Sequence, residues 1–194
     1  MIASAYRILI VDDDPNDRDA LRSLILKDSS DEYHVSVADD GEAGIRHFLA
    51  ESPDCVLVSY HLPDMNGEEF LIRLRELSGA SAIAMVFLIG KDEQMLEQPL
   101  VRQGTVACLY KEWVTVTELS HAIHNAIEKA QLQRKVERNR RLLEIQNTAL
   151  LRTELQFRVL IEQAPIRIAM FDNRMNYLAT SSRWLSDYGG GAIV

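Results

Sequence analysis

One stretch constrains the fold more than any other: Cys55-Val56-Leu57-Val58-Ser59 running straight into Tyr60-His61-Leu62-Pro63-Asp64-Met65-Asn66-Gly67. An apolar run without alternation that stops at a hydroxyl and turns into a Pro/Asn/Gly loop reads as a strand buried on both faces. Such strands belong to parallel sheets covered by helices, and ligands there sit beyond the carboxyl ends of the strands. Ser59 is delivered to that crevice. Arg7-Ile8-Leu9-Ile10-Val11 arrives beside it and ends in Asp12, Asp13 and Asp14, and Val106-Ala107-Cys108-Leu109-Tyr110 ends in Lys111. Adjacent carboxylates repel one another and become tolerable when a divalent cation or an ammonium group sits among them. Lys111 is the ammonium at hand.

Helical patterns separate these strands. Pro15 to Lys27 carries Ala20, Leu21, Leu24 and Ile25 on one face, with Asp14 as its cap and Asp17 near the positive end of its dipole. Tyr33 to Ala38 reads as a strand and Gly41 to Ala50 as a helix turning Ile45, Phe48 and Leu49 inward. Asn66 or Gly67 opens a helix with Phe70, Leu71, Leu74 and Leu77, closed by Gly79. Ile83 to Leu88 is a further strand and Lys91 to Gln103 a further helix, which Pro99 should kink or delay at a cost of ~3 kcal/mol. Strand alternating with helix is the pattern of a doubly wound parallel sheet.

Taken together, RILIVDDDPNDR, VLVSYHLPDMNG, VFLIG and the Lys after the last strand resemble a two-component response-regulator receiver domain over roughly Tyr6 to Ala130. The resemblance implies a flavodoxin-like fold, a five-stranded parallel sheet in the order 2-1-3-4-5. It implies that Asp12 and Asp13 match an acidic pair that holds Mg²⁺, with the backbone carbonyl of His61 as a further ligand. The position of the phosphoryl-accepting aspartate is Ser59 here. Ile89 stands where the family carries a Thr or Ser, Cys108 stands where it carries an aromatic switch residue, and Lys111 keeps the family's lysine.

A serine hydroxyl is neither a metal ligand nor a phosphoryl acceptor at neutral pH without an activating base, and no His is placed by sequence to supply one. With Ile89 also lacking a hydroxyl, the site reads as that of a non-catalytic pseudo-receiver with no cofactor, or with weakly bound Mg²⁺. Lys111 is expected to pair directly with Asp12 or Asp13 in place of a metal. Ser59 has other readings: a phosphorylated serine, an engineered replacement, or merely a small residue at a strand end. Ile89 and Cys108 weaken the engineering reading, since a single silencing change would leave them in the family's form. Two alternatives compete with the pseudo-receiver. One is an active receiver using a non-standard acceptor such as Asp12, Asp13 or Asp64. The other is an aspartate-nucleophile phosphohydrolase of the haloacid-dehalogenase type, whose Asp-x-Asp-x-Thr motif meets Asn16 where its Thr should stand.

Beyond Lys111 the chain changes character. Thr115-Val116-Thr117-Glu118 is a capping box, and helical sequence follows without Gly or Pro to Ala164, ~72 Å at 1.5 Å per residue. Val136, Leu143, Leu150 and Phe157 recur every seven residues, with Leu132 and Leu160 at the second seam position and Asn139, Gln146 and Thr153 between them. That is a heptad register favouring a parallel two-stranded coiled coil over residues 131–163 and hence a homodimer, with polar seam residues that hold or shift register. The stretch from Glu154 to Gly189 resembles the start of a PAS sensor domain, with Pro165, a strand from Ile168 to Phe171, a turn at Asp172-Asn173, a strand from Tyr177 to Ala179 and a helix near Ser182. A hairpin of that kind, short of a full core, is expected to pack on its dimer mate or to be poorly ordered.

The whole reads as a receiver-like domain over 1–130, a coiled-coil connector over 131–163 and a PAS start over 164–194. It is expected to be the front of a longer signalling protein, with an unseen output and a sensor histidine kinase as partner. Residues 1–128 hold 10 Lys+Arg against 23 Asp+Glu, which argues against nucleic-acid binding, whereas residues 129–158 hold 8 against 3 and read as a solvated helix face. No long apolar run and no signal pattern occur, so a cytoplasmic protein without membrane contact is expected. Cys55 and Cys108, both on strands, are expected to be free thiols.

Overall fold

The computed structural model describes residues 5–80, 82–90 and 106–188. By its contacts the chain divides into two compact units, Met1–Glu137 and Arg138–Val194. In the first unit, strands β1 (Ala5–Val11), β2 (Glu32–Ala38), β3 (Cys55–Ser59), β4 (Met85–Ile89) and β5 (Val106–Tyr110) form one sheet in the order β2-β1-β3-β4-β5, and every pairing is parallel. This is the flavodoxin-like order expected. Helices α1 (Pro15–Lys27), α2 (Gly41–Glu51) and α3 (Gly67–Ser78) connect the strands, and the long helix α4 (Val116–Glu162) follows β5. The helix expected over Lys91 to Gln103, with Pro99, lies outside the described residues.

Strand alternation sorts the core into two layers. Ile8, Ile10, Leu57, Val86 and Leu88 face Leu21 and Ile25 of α1 and Leu119, Ile123 and Ile127 of α4, whereas Leu9, Val11, Val58 and Phe87 face Ile45 of α2 and Phe70, Leu71 and Leu74 of α3. Burying each of these large side chains contributes about 1.5–3 kcal/mol. The helix faces are narrower than the sequence pattern suggests. Ala20 is exposed, Leu49 is 47% exposed and Leu77 is 59% exposed. On α2 the small residues Ala43 and Gly44 take the inner positions, because a Cβ at Gly44 would meet Val11 Cγ2 at 2.8 Å. The helix lies too close to the sheet for a wider apolar stripe to be covered.

Helix ends follow the sequence closely. Asp14, Asp40 and Asn66 cap α1, α2 and α3 with their side-chain oxygens, and Gly79 closes α3 at φ 62°. The capping box at the start of α4 is formed: Thr115 N and Oγ1 donate to Glu118 Oε2 at 3.0 and 2.8 Å, and Glu118 N donates back to Thr115 Oγ1 at 3.3 Å. The fourth strand begins later than expected, at Met85, although Ile83 and Ala84 are already buried.

In the second unit, β6 (Ala169–Phe171) and β7 (Tyr177–Thr180) pair antiparallel, and α5 (Ser182–Tyr188) follows. Asp172 organises the turn, its Oδ1 accepting from Arg174 N and Asn176 N at 2.8 Å each. The Ser181 hydroxyl donates to Ile166 O at 2.8 Å and accepts from Ile168 N at 3.0 Å. Among the described residues no helix is long and apolar enough to cross a membrane.

Candidate functional site

Parallel pairing brings the strand ends to one edge. Val11 lies beside Val58, Ser59 beside Leu88, and Ile89 beside Tyr110, so the residues at and just past these strand ends, from Asp12 to Lys111, share the carboxyl-end edge of the sheet. Backbone bonds fix them there: Asp12 N donates to Ala38 O at 3.1 Å, and Lys111 N donates to Ile89 O at 3.1 Å.

Asp12 is fully buried. Its Oδ1 accepts from Asp14 N at 3.0 Å, and its Oδ2 lies 2.6 Å from Lys111 Nζ in an ion pair that lacks the alignment of a good hydrogen bond. Lys111 also donates to Asp17 Oδ2, on the first turn of α1, at 2.9 Å. Burial pushes the Asp12 carboxyl above its ordinary value, which Lys111 and the Asp14 N–H only partly offset. For Lys111 burial works downward, but the carboxylates of Asp12 and Asp17 outweigh it and the ammonium is held above its ordinary value. The cation is thereby fixed between two carboxylates.

The expected pairing of Lys111 with Asp12 or Asp13 resolves to Asp12. Asp13 is exposed and forms no ion pair among the described residues. In the sequence Asp17 shows only as a dipole partner of α1; its second role is not legible there, because α1 must first pack on the sheet to bring it to a lysine 94 positions away.

Ser59 is 4% exposed, and among the described residues its hydroxyl makes no hydrogen bond. Ile89 is fully buried. Cys108 pairs in register with Phe87 and packs against the layer that holds Tyr60 and Leu62. Neither cysteine forms a disulfide; Cys55 is buried and Cys108 half-buried. The His61 ring stacks edge-on against Tyr60 at 5.1 Å, and the residue forms a backbone bridge with Asn66.

Asp64 has a role that the sequence hid. Its Oδ1 and Oδ2 accept from Gly41 N and Glu42 N at 2.9 Å each, so a loop carboxylate caps the start of α2. Burial works to raise this carboxyl, but those bonds and the nearby Arg73 hold it below its ordinary value. Both oxygens are committed to the cap, which leaves little for a phosphoryl acceptor.

The donor set suits Mg²⁺ poorly. A hard dication takes several oxygen ligands, and the carboxylates here are Asp12 and Asp17, both already paired with Lys111, and the exposed Asp13. Among the described residues no group of three or more His, Cys, Asp or Glu could hold a metal ion. Asn16, at the place of the phosphohydrolase threonine, donates from Nδ2 to Asp14 Oδ1 at 3.0 Å and belongs to the α1 cap.

A family model described as the response regulator receiver domain matches residues 8–124. The sensor histidine kinase TmoS of Ectopseudomonas mendocina is 24% identical over 190 residues, covering 89% of this chain and 19% of TmoS. The nitrate/nitrite response regulator protein NarL of Escherichia coli K12 is 37% identical over 121 residues, covering 61% of this chain and 53% of NarL. The chain thus spans about a fifth and about half of these two proteins. Among solved structures, a response regulator receiver domain protein from Clostridium thermocellum superposes with a TM-score of 0.56 at 26% identity, over 66% of this chain and 98% of that one.

Proposed function

Because this chain belongs to the response regulator receiver domain family across residues 8–124, we propose that it is a two-component signalling module whose receiver works without phosphorylation. The observation that carries this reading is Lys111 held between Asp12 and Asp17. A phosphorylated receiver needs an acceptor carboxylate, a cation to neutralise the incoming charge and a lysine free to meet the phosphoryl group. Here the acceptor position is Ser59, the hydroxyl position is Ile89, and the lysine is spent on two carboxylates. The domain is held in one state and catalyses no reaction.

What remains for it to do is assemble and transmit. The long helix continues past the last buried contact of the receiver, and its seam residues lie in water, which supports a homodimer through Leu132, Val136, Asn139, Leu143, Gln146, Leu150, Phe157 and Leu160. Helix and hairpin together support the reading of 131–163 as a coiled-coil connector and of 164–194 as a PAS start that receives its register or rotation. A likeness covering 89% of the chain to a protein named a sensor histidine kinase supports a kinase-linked setting.

Light-scattering mass, with and without Mg²⁺ and beryllofluoride, tests this reading. A dimer indifferent to both additions is expected. A monomer that dimerises only with the phosphoryl mimic would mean that the site still switches.

A further inference from the structure

Near its start, α4 is bonded to the turn between α1 and β2. His124 Nε2 lies 2.9 Å from Asp31 Oδ2, and His124 Nδ1 lies 2.8 Å from the Ser120 carbonyl one turn earlier on the helix. Both partners are acceptors with no proton to give. A neutral imidazole carries one N–H and leaves one of these contacts as lone pair against lone pair, whereas the imidazolium donates to both. We propose that His124 and Asp31 form a proton-operated latch, closed by the imidazolium, that ties this turn to α4. The inference goes beyond the relay reading above and gives the first turns of the helix a chemical input of their own.

The surroundings of the ring favour the charged form. The Ser120 hydroxyl, 3.4 Å from Nδ1, could offer a neutral ring a hydrogen bond instead. It serves Asp28, as the largest of the influences that hold that carboxyl below its ordinary value, ahead of Ser30. Asp28 therefore stays anionic across neutral pH. From β1, Tyr6 meets the imidazole at right angles with ring centres 5.3 Å apart. From β2, Tyr33 lies against Tyr6 at 6.0 Å and donates to Asp28 Oδ2 at 3.1 Å. Burial is the main cause that pushes the Tyr33 phenol up to about 12, so this donor remains neutral. Glu32 and His34 of β2 lie 3.9 Å from each other, Lys27 stands on the last turn of α1, and on α4 itself Glu128 stands one turn beyond His124. At 35% side-chain exposure the ring exchanges protons with water, while Asp31, at 17%, is shielded enough for its charge to be felt.

Amide hydrogen exchange read by mass spectrometry tests the latch in the full chain. Exchange is compared at about pH 5.5 and about pH 8.5, an interval across which an imidazole ordinarily gives up its second proton, and corrected for its intrinsic pH dependence. The contact is present while the ring is charged and lost as the pH rises. In the parent chain a peptide spanning residues 28–33 should thus lose protection ~5-fold from the lower pH to the higher, as fits a partly exposed charged pair. His124→Phe keeps an aromatic ring against Tyr6 but has no nitrogen, and should be as poorly protected at both pH values as the parent is at the higher one. Asp31→Asn, which keeps an acceptor but not the charge, should likewise lose the pH response. His34 stays in every chain, so its own protonation cancels. A parent chain whose protection ignores pH would overturn the latch. So would a His124→Phe chain that keeps the parent's full response, because the proton would then act elsewhere.

Discussion

Lys111 Nζ lies 2.6 Å from Asp12 Oδ2, joining the last strand of the sheet to the first through a carboxylate with no exposure to water. Removing one partner of a buried pair leaves the other charge uncompensated, which typically costs 3–5 kcal/mol. Lys111→Met should therefore lower stability by about 3 kcal/mol in urea unfolding. Lys111→Met combined with Asp12→Asn should recover much of that loss, because the double change leaves no orphaned charge in the interior, only the partly exposed Asp17. Asp17→Asn, which acts on a carboxylate 38% exposed, should cost no more than about 1 kcal/mol. Equal losses for Asp12 and Asp17 variants would contradict this division of roles.

Ser59→Asp places a carboxylate at the end of the strand beside the one that leads into Asp12. An added anionic oxygen ligand should tighten Mg²⁺ binding by on the order of 10-fold or more over the unmodified chain, read by isothermal calorimetry. If the affinity does not move, the residue at position 59 does not limit Mg²⁺ binding, and the hold of Asp12 and Asp17 on Lys111 is the stronger cause.

Asp64 ties the loop after β3 to the start of α2, and its carboxyl is held below its ordinary value of 3.8. A carboxyl depressed by folding contributes stability that is present above the unfolded value and lost as pH falls through the folded one. Asp64→Ala should thus destabilise the chain by about 1 kcal/mol at pH 7, as loss of a helix cap does. The gap between variant and parent should close as the pH is lowered below the ordinary carboxylate value. A gap that stays constant down to acid pH would show that the carboxylate charge is not what stabilises the loop.

Cys55 is fully buried, and burial pushes its thiol up to about 12. A thiol reacts as its thiolate, so Cys55 should resist maleimide in the folded chain and label only on unfolding, while half-buried Cys108 labels first. Mass spectrometry of a labelling time course reads the order directly. Labelling of Cys55 at the rate of Cys108 would mean that β3 opens far more often than a central strand should.

The sequence by itself determined the local and periodic features of this protein. Apolar runs such as Val56 to Val58 specify strands because only a sheet buried on both faces accommodates them, and caps at Asp14, Asn66 and Gly79 act through neighbours a few residues away. The same local logic made Asp12, Ser59 and Lys111 readable as strand-end residues. Only the tertiary structure decided which of the aspartates takes Lys111, since that depends on Asp12 turning inward and on α1 lying where Asp17 can reach across 94 positions. It also decided that Asp64 caps a helix 23 positions earlier in the chain, and that Ala20, Leu49 and Leu77 stay in the water. These outcomes depend on distances between elements far apart in sequence, fixed by close packing such as that of Gly44 on Val11, and no pattern of neighbouring residues encodes them.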